Sequence, residues 1–248
     1  MNTSLTKGQI QFIKELQQKE GRKEHGLFVV EGEKLVNELA GSGHEIQQLY
    51  YTNDFEGTSF NLNAGAQKIT TKELERISSL STPNKVLALV KIPKQETLPG
   101  AETKIIYCCQ LQDPGNAGTI LRIADWYGIQ KVVFSINSVD VFSPKVVQAS
   151  MGAVFRINCL YDNEKNELLD KLRKEKYTVI AADMKGEKLD SFVFPEKTVL
   201  VMGSESHGIN SEIKQHVDAF ITIQRVGKAE SLNVGVACGI ICQKMIFN

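Results

Sequence analysis

Three stretches of this 248-residue chain place polar side chains where chemistry would use them. In LQDPGNAGTILR an apolar run gives way to Asp-Pro-Gly, then to Asn116, and then to Arg122 inside the otherwise apolar series Ile120, Leu121, Ile123, Ala124. An arginine there either lays its stem along the helix toward water or points a guanidinium fork into a site, where it grips a phosphate or a developing oxyanion. Asn116 also has a plain reading, as the N-cap of the helix after the Pro-Gly turn. In VMGSESHGI an apolar run feeds Gly203, Glu205, His207 and Gly208, and glycines let a backbone approach a ligand closely. His207 beside Glu205 has the composition of an acid–base pair, although a single loop histidine is more often simply solvated. In ITIQRVGKAESLNVGVACG a run ending at Ile223 passes through a basic loop, with Arg225 and Lys228, to Ser231, Leu232 and Asn233. Ser231 reads as a helix cap as readily as a substrate contact, and Gly235, Ala237 and Gly239 as a close-packing face.

Other chemistries lack their residues. No Gly-Lys-Ser/Thr triplet supports a phosphate-binding P-loop, and Gly115 and Gly118 are too sparse for a dinucleotide fingerprint. Cys238 and Cys242 share a helical face, but no second His/Cys pair completes a tetrahedral zinc set, so no metal is expected and they read as small buried hydrophobes.

The elements that must position these loops alternate along the chain. Apolar residues at Ile10, Ile13 and Leu16 predict an amphipathic helix over 6–18, followed by an exposed charged loop, KEGRKEHG. FVVEG, QQLYYT and VLALVKI read as strands, and EKLVNELAGSG and TTKELERISSL as helices, which closes a small α/β unit near residue 92. PKQETLPGAET reads as a linker. Beyond it KIIYCCQL, KVVFSI, AVFRINC, YTVIAAD, TVLVMG and AFITIQ read as strands, separated by helices at NAGTILRIADWYG, SPKVVQASMG, NELLDKLRKEK and SEIKQHV and closed by SLNVGVACGIICQKMIF. That order predicts a parallel α/β sheet, whose ligands sit at the carboxyl ends of the strands. The three polar stretches all lie there.

Composition bounds the partners. The 29 lysines and arginines balance 29 aspartates and glutamates, so there is no bulk polycation and any nucleic-acid site must be local. Local basic clusters occur at Lys7, Lys14, Lys19, Arg22 and Lys23, and at Arg225 and Lys228. Five cysteines, two of them adjacent, do not form a disulfide framework and fit a reducing cytoplasm. Without an apolar signal segment or an apolar run of about 18 residues, the protein is expected to be soluble and cytoplasmic, with no membrane partner.

Taken together, NAGTILR, GSESHG and ESLNV resemble the three motifs of the SpoU/TrmH family of RNA ribose 2′-O-methyltransferases, within the SPOUT superfamily. FSPKVVQASMGAVFRIN is similar to a further stretch of that family, from which Gly235 departs, since serine is frequent there. The resemblance implies an α/β fold in which residues 103–248 form a parallel-sheet methyltransferase domain tied in a deep trefoil knot. Residues 1–95 resemble the ribosomal-protein-like RNA substrate-binding domain that many such enzymes carry in front.

The same resemblance implies S-adenosylmethionine as cofactor, with Gly203, Ile223 and Leu232 lining its pocket. It places Asn116, Arg122, Glu205, Ser231 and Asn233 in the catalytic surroundings, and it implies a homodimer, for which the apolar helix from Leu232 to Phe247 also speaks. The implied reaction is methyl transfer to a ribose 2′-hydroxyl of RNA, ribosomal RNA by analogy with the front domain. Transfer RNA is the alternative substrate. A non-catalytic RNA-binding relative would be free to lose Arg122 or Asn233, and a nucleotide-cofactor enzyme would need the phosphate loops this chain lacks.

Overall fold

The computed structural model describes residues 4–57, 65–94, 102–162, 167–204 and 208–247. In chain order the elements are α1 (Lys7–Leu16), α2 (Lys19–His25), β1 (Leu27–Glu31), α3 (Glu33–Leu39), β2 (Ile46–Tyr51), β3 (Ala66–Lys68), α4 (Thr71–Ile77) and β4 (Val86–Lys91). They continue with β5 (Lys104–Cys108), α5 (Pro114–Trp126), β6 (Lys131–Ser135), α6 (Pro144–Ser150), β7 (Asn158–Asp162), α7 (Glu167–Lys174), β8 (Thr178–Lys188), β9 (Thr198–Met202), α8 (Ser211–Lys214), β10 (Ala219–Thr222) and α9 (Val234–Phe247). The chain divides into two units, Met1–Lys94 with Asp140–Phe155, and Gln95–Val139 with Arg156–Asn248.

The first unit is built on a mixed sheet in the order β1-β4-β2-β3. Helix α1 starts on a capping box formed by Thr6 and Gln9, and its apolar face of Ile10, Ile13 and Leu16 is buried. With Leu74 and Ile77 of α4 it covers Leu27, Val29, Leu87 and Leu89 on one side of the sheet. Strand side chains alternate, so Phe28 points to the other side, where it packs on Phe142 at 4.8 Å and Phe155 at 6.5 Å between ring centroids. The first unit is therefore discontinuous in sequence: residues 140–155 complete its second face. Gln148 Nε2 of that segment donates to the Glu31 carbonyl at 2.8 Å.

Two expectations change in this unit. The charged stretch KEGRKEHG is not an exposed loop but helix α2, which ends on Gly26 in the left-handed region. It folds back on α1 at Gly21, where a Cβ would lie 2.2 Å from the Glu15 carbonyl oxygen. Arg22 consequently leaves the basic cluster: it is 3% exposed and its Nε donates to Asp140 Oδ2 at 2.7 Å, while Nη1 donates to the Leu16 carbonyl at 2.9 Å. The Asp140 side chain is 17% exposed, so removing Arg22 leaves a partly solvated carboxylate, which costs less than orphaning a fully buried charge. Lys7, Lys14, Lys19 and Lys23 remain exposed. The second change is at AVFRINC, which is not one strand: Ala153–Phe155 form a 3-10 turn that serves the first unit, and β7 begins only at Asn158. Short β3 lies in a polar stretch whose composition carries no strand signal.

The second unit is a six-stranded sheet in the order β10-β8-β9-β5-β6-β7, with every neighbouring pair parallel. Strands β6 and β9 are buried along their whole length, as parallel strands covered on both faces should be. Ile105, Tyr107, Val133, Val179, Val199 and Val201 form one core with Leu169 and Leu172 of α7 and Ile213 of α8, and α5 packs against α9. The chain leaves the centre through β5, β6 and β7 and then returns to the other side of β5, so that β9 becomes its neighbour. The β5/β9 boundary is the switch point where such sheets open a crevice at their carboxyl ends.

Candidate active site

The three polar loops leave the carboxyl ends of β5, β9 and β10, and named hydrogen bonds join them. Asp113, not Asn116, caps α5: its Oδ1 accepts the Asn116 amide at 2.7 Å, and Pro114 occupies the first turn, where its missing N–H costs nothing. That frees the Asn116 side chain, which is 7% exposed and accepts at Oδ1 from Asn233 Nδ2 at 2.8 Å. Asn233, not Ser231, caps α9, since its Oδ1 accepts the amides of Gly235 at 2.9 Å and Val236 at 3.3 Å. One asparagine thus starts the last helix and fixes it to the first turn of α5, 117 residues earlier.

The β5 and β9 loops are joined at Cys109, whose amide donates to the Met202 carbonyl at 2.8 Å. Its thiol is pushed up by burial, which suits a packing residue and not a nucleophile. Next to Met202, the loop beginning at Gly203 turns back on itself, with paired backbone hydrogen bonds of 3.0 and 2.9 Å between Ser204 and Gly208. A Cβ on Gly203 would lie 2.5 Å from the Gly208 carbonyl carbon, so glycine is required by this close approach. Glu205 and His207 lie outside the described residues.

Arg122 is exposed on α5, and among the described residues its guanidinium makes no hydrogen bond or ion pair. Ile223 is half-buried directly after β10, while Ser231 and Leu232 are exposed just before the Asn233 cap, Leu232 at 48%. The structure therefore brings Asn116 and Asn233 into contact, sets Gly203, Ile223 and Leu232 at the same end of the sheet, and places Arg122 outward.

Sequence reasoning missed a fourth loop at this end. Between β8 and β10 the register jumps from Phe220↔Ala181 to Ile221↔Glu187, so residues 182–186 leave the ladder. Thr222 Oγ1 donates to the Met184 carbonyl at 3.3 Å, and a Cβ on Gly186 would lie 2.5 Å from the β10 backbone. Gly186 within an otherwise strand-like run was the available signal. Cys238 and Cys242 face the core with their sulfurs 3.8 Å apart, and among the described residues no group of three or more His, Cys, Asp or Glu is placed to hold a metal.

Comparison with known proteins places this geometry. Residues 103–243 match the SpoU rRNA Methylase family and residues 7–88 the MRM3-like substrate binding domain. The 23S rRNA (guanosine(2553)-2′-O)-methyltransferase RlmP of Bacillus subtilis is 27% identical over 231 residues, covering 92% of each chain. A solved TrmH-family protein from Porphyromonas gingivalis is 35% identical, with a TM-score of 0.90 over 98% of each chain. The AdoMet-bound rRNA methyltransferase from Sinorhizobium meliloti is 28% identical, with a TM-score of 0.82 over 98% of this chain and 95% of that one. With its parallel sheet, its joined strand-end loops and a match that spans the whole of both, this chain belongs to the SpoU rRNA methylase family.

Proposed function

We propose that this protein transfers a methyl group from S-adenosylmethionine to a ribose 2′-hydroxyl of ribosomal RNA. The observation that carries the reading is the Asn116–Asn233 hydrogen bond at the sheet's switch point, which assembles the first and third motif loops of a SpoU-family chain. The residues fit the cofactor: half-buried Ile223 and partly exposed Leu232 offer apolar walls, and the strand-end loops offer backbone donors and acceptors. When bound, S-adenosylmethionine supplies an electrophilic sulfonium methyl group.

This chain's part is to orient the ribose oxygen toward that methyl group and to stabilise charge as its proton leaves. Arg122 serves as a fork that grips RNA phosphate and the developing alkoxide; a guanidinium, with a pKa above about 12, is a poor proton acceptor. Asn116 and Asn233 are positioning residues. Ser231 and Glu205 complete the catalytic surroundings. Residues 1–95 take the RNA, as the substrate-binding match over 7–88 supports, and 103–248 carry the transfer with the knotted threading of the family.

The working form is a homodimer in the cytoplasm. Val236, Ile240 and Phe247 of α9 are 52%, 41% and 72% exposed and, with Ile123 and Tyr127 of α5, form an apolar groove and rim whose occupant is a second copy of the chain. Among the described residues no helix is long and apolar enough to cross a membrane.

The test is methyl incorporation from labelled S-adenosylmethionine into ribosomal and transfer RNA, followed by alkaline hydrolysis. A 2′-O-methyl group removes the internal nucleophile, so an alkali-resistant dinucleotide from ribosomal RNA is expected. Label confined to transfer RNA, or to alkali-sensitive nucleotides, overturns the reading.

A further inference from the structure

Helix α5 carries two large exposed side chains on one face. Arg122 and Trp126 stand one turn apart, which on a helix is about 6 Å along the axis and about 40° around it. Trp126 is 83% exposed, although tryptophan is highly buried on average, and it is the only tryptophan of the chain. Among the described residues its ring meets no other ring and its indole N–H finds no acceptor. The next residue shows the contrast: the Tyr127 hydroxyl donates to Gln243 Oε1 at 3.0 Å and its ring centroid lies 6.2 Å from that of Phe247, so α9 engages it fully. Thr119, Ile123 and Tyr127 line the groove with α9, and Arg122 and Trp126 form the stripe beside it. The carboxylate next to Trp126 does not offset the Arg122 charge, because Arg156 Nε and Nη2 donate to Asp125 Oδ2 at 3.0 and 2.8 Å.

A guanidinium and a bare aromatic face one helical turn apart fit a ligand that is anionic at one point and flat at the next. A single-stranded nucleic acid has that chemistry, with phosphate for the arginine and base for the ring. A second copy of the chain fits less well, since covering Trp126 with protein would also bury the neighbouring guanidinium without a partner. We infer that Trp126 is a stacking platform for an unstacked RNA base next to the nucleotide whose phosphate Arg122 holds. The inference rests on the role given to Arg122 in the proposed reaction, and it adds the path of the RNA, along α5 away from the Asn116 turn. Stacking holds substrate and transition state alike, so it acts on KM and not on kcat.

The single tryptophan makes the claim directly measurable, because all indole emission comes from residue 126. Full-length protein is titrated with ribosomal RNA stripped of protein, and emission is followed beside filter binding of the same RNA. Emission should fall along the binding curve. Heparin, a polyanion without bases, should occupy the cation and leave emission unchanged. Trp126→Ala and Trp126→Leu should raise the RNA Kd and KM about fivefold to a hundredfold, and Trp126→Phe, which keeps a π-face, should stay within about threefold of wild type. In all three variants kcat, the S-adenosylmethionine Kd and the sedimentation coefficient should be unchanged.

RNA that binds without altering the emission overturns the platform, and so does wild-type RNA affinity in Trp126→Leu, which would reduce the residue to apolar cover. An emission change on dilution without RNA, in step with dissociation in the ultracentrifuge, overturns it in favour of a contact between copies. A protein that binds RNA with the expected loss of emission but methylates none defeats the methyltransferase reading and leaves the platform standing.

Discussion

Asn233 shows how much one short side chain can hold. Its oxygen caps α9 and its nitrogen reaches Asn116, so it couples a helix start to a loop far away in sequence. Arg122 is the opposite case, exposed and without an internal partner among the described residues. Arg122→Ala should therefore abolish methyl transfer while leaving the S-adenosylmethionine Kd within about twofold and the melting temperature unchanged, since surface substitutions usually alter stability by less than about 0.5 kcal/mol. Arg122→Lys should rescue poorly, because an ammonium cannot reproduce the bidentate fork. A parallel fall in cofactor affinity would instead make Arg122 a structural residue. Glu73 in the first unit offers a test by pH. The backbone N–H of Thr70 first, then the Leu5 amide and the Thr70 hydroxyl, hold its carboxyl down at about 2 from an ordinary 4.5. A depressed carboxyl contributes stability that is fully present above its unfolded value and is lost as pH falls through the folded one. Urea unfolding of wild type and Glu73→Ala should differ by about 1 kcal/mol above pH 5, and the gap should close between about pH 4.5 and 2. A gap that persists at pH 2 would show that the carboxylate is not its source.

Elements position these residues through a few close approaches. The turn after β9 depends on Gly203 lying against the Gly208 backbone, which cannot yield as a flexible side chain would. Gly203→Ala should displace the turn and weaken S-adenosylmethionine binding at least tenfold, read by calorimetry, with little change in circular dichroism. Binding at wild-type strength would remove this loop from the cofactor's surroundings. Gly186 makes a comparable approach to β10 and marks where β8 opens. Helix α2 is an element that composition hides: charged on most positions, it is held by Gly21 against α1 and by Arg22 beneath it.

For the whole molecule, the proposed pairing of two copies makes a direct claim about the α5 and α9 groove. Ile240→Glu places a charge in the centre of an apolar face, where burial against a second copy would leave it unpaired. Sedimentation at micromolar concentration should then give a monomer, and methyl transfer should be lost with the fold intact. A variant that remains dimeric puts the interface elsewhere, and a monomer with full activity removes the dimer from the mechanism.

Much of this architecture was legible in the sequence because it is written in short-range signals. Periodicity places α1; the alternation of apolar runs with helical segments places α5, α7, β1, β4, β5, β6 and β9; and the three loops follow from the rule that parallel strands present ligands at their carboxyl ends. Asn116, Gly203 and Asn233 could be singled out for the same reason, each standing where a strand gives way to a helix, and Arg122 because it interrupts the apolar series Ile120, Leu121, Ile123, Ala124 within α5. What the sequence by itself could not determine depends on partners more than a hundred residues apart. Arg22 and Asp140 are separated by 118 positions, and nothing local tells a buried arginine from an exposed one in a charged stretch. The allocation of residues 140–155 to the first unit rests on Phe142 and Phe155 packing on Phe28, and the cap of α9 falls to Asn233 rather than Ser231 because the folded helix begins at Val234. Burial and hydrogen-bond satisfaction are properties of the folded neighbourhood, and only the tertiary structure supplies that neighbourhood.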